Sequence, residues 1–372
     1  VVLSEGPGRP RAARRAGDRR RPVTRAPLGL AVLLVLLPLL GAVYEAAMSA
    51  YDAWRSPAPG RLVAVDGRRM HLHCTGDGRP TVILDAGLGG WSLDWSLVQP
   101  EIARFTRVCA YDRAGLGWSD PGPAPRDAQQ AVRELHDLLA ESPPGPLLLV
   151  GHSNGGLRVL LYAGAYPEEV AGLVLVDPTP LATDEEGLNL LTPGEQEELQ
   201  TLVPATAGGA GGGGLDLFQW MHRLRPFGVP RLLAASFLEQ SVYGRLHAGT
   251  RPAYLATVNN GSFYATFVAE TEQRQRSIEQ VRRMGGVGDV PLAVLASSTF
   301  RTFHSDPPPP GLPERFTELN QKMLWELAVA TSRMSPQGTV ERVPQSGHYV
   351  MIDRPDAVAQ AVQRMVEARR RA

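Results

Sequence analysis

From Arg61 onward the chain alternates short runs of β-branched and aliphatic residues with longer stretches of helical spacing, and few folds tolerate that rhythm. Arg61–Asp66 and Met70–Thr75 flank Asp66-Gly67, a turn dipeptide, and read as a hairpin. Thr81–Asp85, Arg107–Tyr111, Pro146–Gly151, Ala171–Asp177, Val290–Ala296 and Thr339–Val343 read as buried strands. Ala128–Glu141, Gly155–Tyr166, Pro313–Ser332 and Pro355–Arg371 carry helical spacing between them. Strands this apolar are buried on both faces, and the helices that connect parallel strands are what cover them. The expected class is therefore α/β, a mostly parallel sheet covered by helices on both faces, with the hairpin as an antiparallel edge.

Residues 179–288 break the rhythm. They are polar, helical in parts, and contain GGAGGGG at Gly208–Gly214, which composition marks as a flexible spacer. The expected organisation is a core in two parts, 61–178 and 289–372, with 179–288 inserted as a helical cap. Pro307–Pro310 reads as a rigid loop element.

The amino-terminal segment follows a different logic. Residues 1–26 hold eight arginines against Glu5 and Asp18, although the whole chain balances 38 basic against 38 acidic residues. That overall balance shows no basic surface of the kind that binds nucleic acid. Pro27–Val43 is seventeen residues without a charge, and continuing to Ala50 reaches the roughly 20 residues needed to cross a bilayer. An uncleaved anchor over 27–50 is the first expectation. A signal peptide cleaved near Ala47-Met48-Ser49 and a buried core helix are the other readings. Arginines on the amino-terminal side assign residues 1–26 to the cytoplasm and the rest of the chain to the far side. Residues 51–60, with Pro57, Pro59 and Gly60, are expected as a linker.

The chemistry-bearing motif is Gly151-His152-Ser153-Asn154-Gly155-Gly156, directly after PLLLV and before a helix. A serine on a sharp strand-to-helix turn is forced into strained backbone angles, and small neighbours leave room for the turn. The hydroxyl then projects from the sheet, with the positive end of the helix beneath any developing negative charge. On four stretches in order the chain resembles the α/β-hydrolase fold superfamily. These are LDAGLGG at Leu84–Gly90, YDRAGLGWSD at Tyr111–Asp120, GHSNGG, and SGHYVMIDRPDAV at Ser346–Val358. The resemblance runs over nearly everything from Arg61 onward and says little about substrate.

By that resemblance Ser153 is the nucleophile, His348 its base, and the backbone N–H groups of Asn154 and Leu88 the oxyanion donors. Ala86 stands where such enzymes commonly carry histidine, which leaves Leu88 the less defined of the two. The family's usual acid position, after the seventh strand, offers no carboxylate before Asp306. Asp177, at the end of the sixth strand, is the leading choice, with Asp306 as the alternative. Asp112 and Arg113 read as a bracing pair, and His152 as structural. Trp91 and Trp95 read as packed residues, with a place in the pocket wall as the other reading. His71, His73, His136, His222, His247 and His304 carry no catalytic pattern, and His71-x-His73 places two histidines on one face of a hairpin strand rather than in a metal site. Cys74 and Cys109 fall in strands expected to be neighbours, either bridged or as packed thiols. No cofactor or metal is expected. The resulting expectation is a membrane-anchored or secreted serine hydrolase of a small carboxylic ester. An amide or peptide hydrolase and a non-catalytic binding protein are the alternatives.

Overall fold

The computed structural model describes residues 26–140, 145–202, 212–299 and 314–371. Residues 1–25, Gly208–Gly211, Asp306 and Pro307–Pro310 thus lie outside the described residues. Eight strands form one sheet: β1 Arg61–Val65, β2 Arg68–Thr75, β3 Thr81–Asp85, β4 Val108–Tyr111, β5 Leu147–His152, β6 Val170–Val176, β7 Leu292–Ser297 and β8 Gly338–Val343. Their order is β1-β2-β4-β3-β5-β6-β7-β8. The β1–β2 and β2–β4 pairs are antiparallel and the remaining neighbours are parallel. Asp66 and Gly67 both take positive φ, 49° and 76°, as a tight hairpin turn matching the strand twist requires.

The strands alternate between two apolar cores. Val82, Leu84, Leu148, Val150, Val174 and Val176 face one side, while Ile83, Leu147, Leu149, Leu173 and Leu175 face the other. Helices cover both sides: α2 (Ala128–Ala140) and α3 (Asn154–Ala165) lie on the second core, and a C-terminal helix, Pro355–Arg371, lies on the first. A period of two with both faces buried is the pattern that makes these strands read as unbroken apolar runs.

Between β6 and β7 the chain forms α4 (Asp184–Leu188), α5 (Pro193–Leu202), α6 (Gly212–Leu224), α7 (Val229–Gln240), α8 (Arg251–Val258), α9 (Phe263–Glu272) and α10 (Arg274–Met284). After β7 come α11 (Glu314–Ser332) and, beyond β8, α12 (Pro355–Arg371). Gly212–Gly214, expected as part of a flexible spacer, instead open α6. The first helix, α1 (Ala26–Arg55), runs past its expected end at residue 50 and takes in the first five residues of the expected linker. The reason is a row of polar groups one turn apart. Glu45 is buried and accepts from Arg231 Nε at 2.9 Å and from Ser49 Oγ at 3.0 Å, and Asp52 pairs with the same Arg231. Arg225 also approaches Glu45, at 3.3 Å. A helix held at three successive turns by one cap arginine has no reason to end at residue 50.

Cys74 and Cys109 sit opposite each other on β2 and β4 and are joined by a disulfide. The bridge closes a segment of 35 residues. Crosslinking a loop of that length restricts the unfolded chain by about 3–4 kcal/mol. Replacing both cysteines by alanine should lower the unfolding free energy by about that amount, measured by denaturant titration, with little change in the far-ultraviolet circular dichroism of the folded form.

Candidate active site

Four strand ends meet at one edge of the sheet: Asp85 at the end of β3, His152 at the end of β5 with Ser153 after it, Asp177 after β6, and Ser297 at the end of β7. In parallel sheets the carboxyl ends of the strands, near the change of winding direction, are where a crevice opens. Here that crevice is a cavity of about 640 Å³, lined among others by Leu88, Ser153, Asn154, Asp177 and His348.

Ser153 lies between β5 and α3 at φ 50° and ψ −120°, outside the regions an ordinary side chain prefers. Its N–H donates to Val176 O at 3.1 Å, and its carbonyl accepts from Gly156 N at 2.9 Å and Thr179 N at 3.1 Å. The turn is possible because its neighbours are glycines. A Cβ at Gly155 would stand 2.3 Å from Asp85 O, and one at Gly151 would stand 2.5 Å from Gly155 O. Asn154 opens α3, and its Oδ1 accepts from Thr179 Oγ1 at 2.5 Å.

Asp177 also takes positive φ, 40°. Its N–H donates to Leu295 O at 2.7 Å, and its Oδ1 accepts from Ser297 N at 2.8 Å. With one carboxylate oxygen spent on β7, the other lies 2.7 Å from His348 Nδ1. The structure thus brings Asp177 to His348, while the alternative Asp306 lies outside the described residues. His348 is carried on the turn after β8, which is tied to β7 by Ser298 N and Thr299 N donating to Ser346 O at 3.0 and 2.9 Å.

His152 lies beside His348 with ring centroids 4.7 Å apart, and its Nε2 is 2.9 Å from the His348 carbonyl. A carbonyl only accepts, so His152 Nε2 carries the proton. Burial, and then neighbouring His348, push the His152 ring well below its ordinary range, and it stays neutral.

The loop after β3 is governed by Arg113, which is almost fully buried. Its Nη1 donates to Ala86 O at 3.0 Å and its Nη2 to Gly87 O at 2.8 Å. Glu270 of α9 pairs with the same guanidinium at 2.7 and 2.9 Å and accepts from Gly89 N at 3.2 Å. Burial alone would raise Glu270, but the Arg113 charge outweighs it and holds the carboxyl at about 2. Asp85 accepts from Arg158 at 2.7 Å and from Tyr111 Oη at 2.8 Å. Asp112 accepts from Ser92 N and Trp118 N, both at 2.9 Å, and lies 2.9 Å from His71 Nδ1. Asp112 and Arg113 therefore brace the floor, as expected, and His71 belongs to that bracing. Trp91 and Trp95 are fully buried, and Trp91 stacks on Tyr254 with centroids 4.6 Å apart. Neither is among the residues lining the cavity.

Arg158, Glu270, Asp94 and Tyr243 escaped the sequence reading. Glu270 had one signal, an acid directly after the mostly apolar stretch Phe263–Ala269. Among the described residues no group of three or more His, Cys, Asp or Glu side chains gathers as metal ligands. Asp94 lines the cavity, is 1% exposed, and has an Oδ1 without a hydrogen-bond partner. Its Oδ2 lies 3.5 Å from Tyr243 Oη. Burial pushes its carboxyl up to about 8, with nearby Arg113 opposing and Asp112 adding. At neutral pH the folded protein therefore keeps the Asp94 proton that the unfolded chain releases above pH 3.8. Between those values the native state binds the extra proton, so stability falls as pH rises. Asp94→Asn should flatten the decline of unfolding free energy between about pH 4 and 8. An unchanged slope in denaturant titrations would show Asp94 ionised in the fold.

The comparisons with known proteins agree with this architecture. The family described as alpha/beta hydrolase fold matches residues 80–196. The uncharacterized protein YqjL of Bacillus subtilis (strain 168) is 36% identical over 120 residues, 32% of this chain and 47% of that protein. A 2-hydroxymuconate semialdehyde hydrolase of Pseudomonas sp. (strain CF600) is 37% identical over 132 residues, 32% of this chain and 44% of that protein. The chain thus spans less than half the length of these relatives. A solved structure described as a membrane phospholipase A, a bacterial virulence factor, superposes with a TM-score of 0.54 at 20% identity over 94% of this chain and 99% of that one. In sheet order, strand–turn–helix elbow and matched segment alike, the chain is an α/β-hydrolase-fold protein.

Proposed function

We propose that the chain is a serine hydrolase that cleaves a carboxylic ester through an acyl-enzyme. The observation that carries this reading is the 2.7 Å contact of Asp177 with His348 Nδ1 in the cavity that Ser153 also lines. With Nδ1 engaged by the carboxylate, Nε2 is the ring nitrogen left to take the Ser153 proton. The Ser153 oxygen attacks the acyl carbon, and the charge that forms on the carbonyl oxygen is met by the N–H groups of Asn154 and Leu88. The imidazolium, stabilised by Asp177, gives its proton to the departing alcohol. Water, deprotonated by the same ring, then releases the acid and restores Ser153. Phe218, Phe267, Leu324 and Leu327 line the cavity and favour an apolar acyl or alcohol group. A matched amide, the second reading, uses the same groups but needs a leaving nitrogen protonated before it departs.

In this reading α1 anchors the enzyme in a membrane and the catalytic part lies outside the cytoplasm. Two features support it. The described part of α1 from Leu33 to Arg55 is long and apolar enough to span, and the Cys74–Cys109 bridge suits an oxidising compartment.

The test uses the full chain, because Glu45 and Asp52 hold Arg231 of the cap. Treatment with a fluorophosphonate should add one adduct to the wild type by intact mass and none to Ser153→Ala. His348→Ala and Asp177→Asn should each slow labelling by about a thousand-fold, and Asp306→Asn should leave it unchanged. A folded wild type that takes no adduct would end the serine-hydrolase reading. Turnover of a matched nitrophenyl ester and nitroanilide then separates esterase from amidase.

A further inference from the structure

Apart from α1, the exposed large apolar side chains among the described residues are concentrated in one place. Leu217, Trp220, Phe227, Leu232 and Leu233 stand 42–71% exposed on α6, α7 and the turn between them, with only Leu62 and Leu190 elsewhere. This is the stretch on which α1 docks. A Cβ at Gly41 would come 2.5 Å from Phe227 O, and one at Gly228 would come 2.9 Å from the Tyr44 ring. Immediately before Gly41, the side chains of Leu33–Leu37, Leu39 and Leu40 are exposed. Val43 and Tyr44 continue this exposed apolar surface and the first charge on α1 is Glu45, so what touches Gly41 and Tyr44 sits near the end of its uncharged stretch.

We infer that the α6–α7 surface of the cap rests in the interfacial layer of the bilayer that α1 enters, with Leu217, Trp220, Phe227, Leu232 and Leu233 in contact with lipid. The inference rests on the reading of α1 as a membrane anchor and extends it to the cap. Three features of the patch suit a lipid interface. It adjoins the exposed apolar part of α1, where Gly41 and Tyr44 approach Phe227 and Gly228. Trp220 has the Arg223 guanidinium 5.2 Å from its ring centroid, an apolar body with a charged partner as interfacial residues commonly show. Glu45, which would be costly at that depth as a free charge, is neutralised by Arg231 and Arg225.

The arrangement has a consequence for substrate. On α6, the same helix turn that exposes Leu217 turns Phe218 into the catalytic cavity, where it stacks on Phe267 at 4.0 Å. One wall of the cavity is thus the inner face of the element whose outer face meets the bilayer. Esters that reside in the membrane can reach such a cavity along α6.

The experiment places one added tryptophan at a time in the full chain, reconstituted in phosphatidylcholine vesicles whose acyl chains carry bromine as a quencher. Leu36→Trp reports on α1, Leu232→Trp on the cap patch, and Leu190→Trp on an exposed cap leucine outside the docking stretch. Fluorescence above that of the wild type should fall by about half or more for Leu36→Trp and Leu232→Trp, and little for Leu190→Trp. Quenching at Leu36→Trp but not at Leu232→Trp would keep the anchor and overturn the cap inference. The same result with chains crosslinking in pairs would assign the patch to a second copy. No quenching at Leu36→Trp would overturn the anchor reading and the inference with it.

Discussion

The site depends on a buried cluster of four charges: Asp85, Arg158, Arg113 and Glu270. Each is less than a tenth exposed, and burying any one of them alone would cost several kcal/mol. Two carboxylates and two guanidiniums arranged with contacts of 2.7–3.4 Å offset that cost only when all four are present. Their positions explain what the cluster is for. Asp85 ends β3, Arg158 lies on α3, Arg113 follows β4, and Glu270 belongs to α9 of the cap. A strand end, the elbow helix, the floor loop and the cap are thereby joined at one point. The guanidiniums also draw the Ala86 and Gly87 carbonyls to themselves, which sets the direction of the loop that carries Leu88. A cap held by Glu270 is fixed to the loop it covers, so its inner wall and the strand ends form one cavity.

Strain at the strand ends needs this support. Ser153 and Asp177 both hold positive φ without being glycine, at a cost of about 1–3 kcal/mol each. Such angles persist where neighbours over-determine them. For Ser153 these are Val176 O, Gly156 N and Thr179 N; for Asp177 they are Leu295 O and Ser297 N. The same hydrogen bonds that hold the angles therefore also hold the two side chains at their places in the cavity.

Much of this was legible in the sequence because it is local. The strands were visible as apolar runs, the elbow as glycines around a serine after PLLLV, and the hairpin as Asp66-Gly67. Each of these is decided by residues adjacent in the chain. The remainder is decided by long-range pairing. Nothing near Asp177 distinguishes it from any aspartate that ends a strand; its partner is 171 residues away. Glu270 and Arg113 are 157 apart, and their pairing gives no local pattern. The extent of α1 is illegible for the same reason, since the hold on Arg231 that accompanies its run to Arg55 comes from 186 residues downstream of Glu45. Asp94 was invisible because its distinguishing property, burial beneath the Gly87–Gly90 turn, is not a property of its neighbours.

The cap is therefore gripped from two sides by ion pairs of different character. On the inside, Glu270 and Arg113 are shielded from water and ions, so their attraction is barely screened. On the outside, Arg231 faces Glu45 and Asp52 at the edge of α1, with the arginine and glutamate side chains under a tenth exposed and the aspartate one-fifth exposed. Both grips are on the helical segment between β6 and β7, and the cavity lies between them. Phe218 lines the cavity and stacks on Phe267, and Phe267 in turn packs so closely on Gly89 that a Cβ there would stand 2.4 Å from its ring. Residues 41–55 are thus held to the same helical segment whose Phe218 and Phe267 line the cavity, so their contacts belong to the packing of the fold.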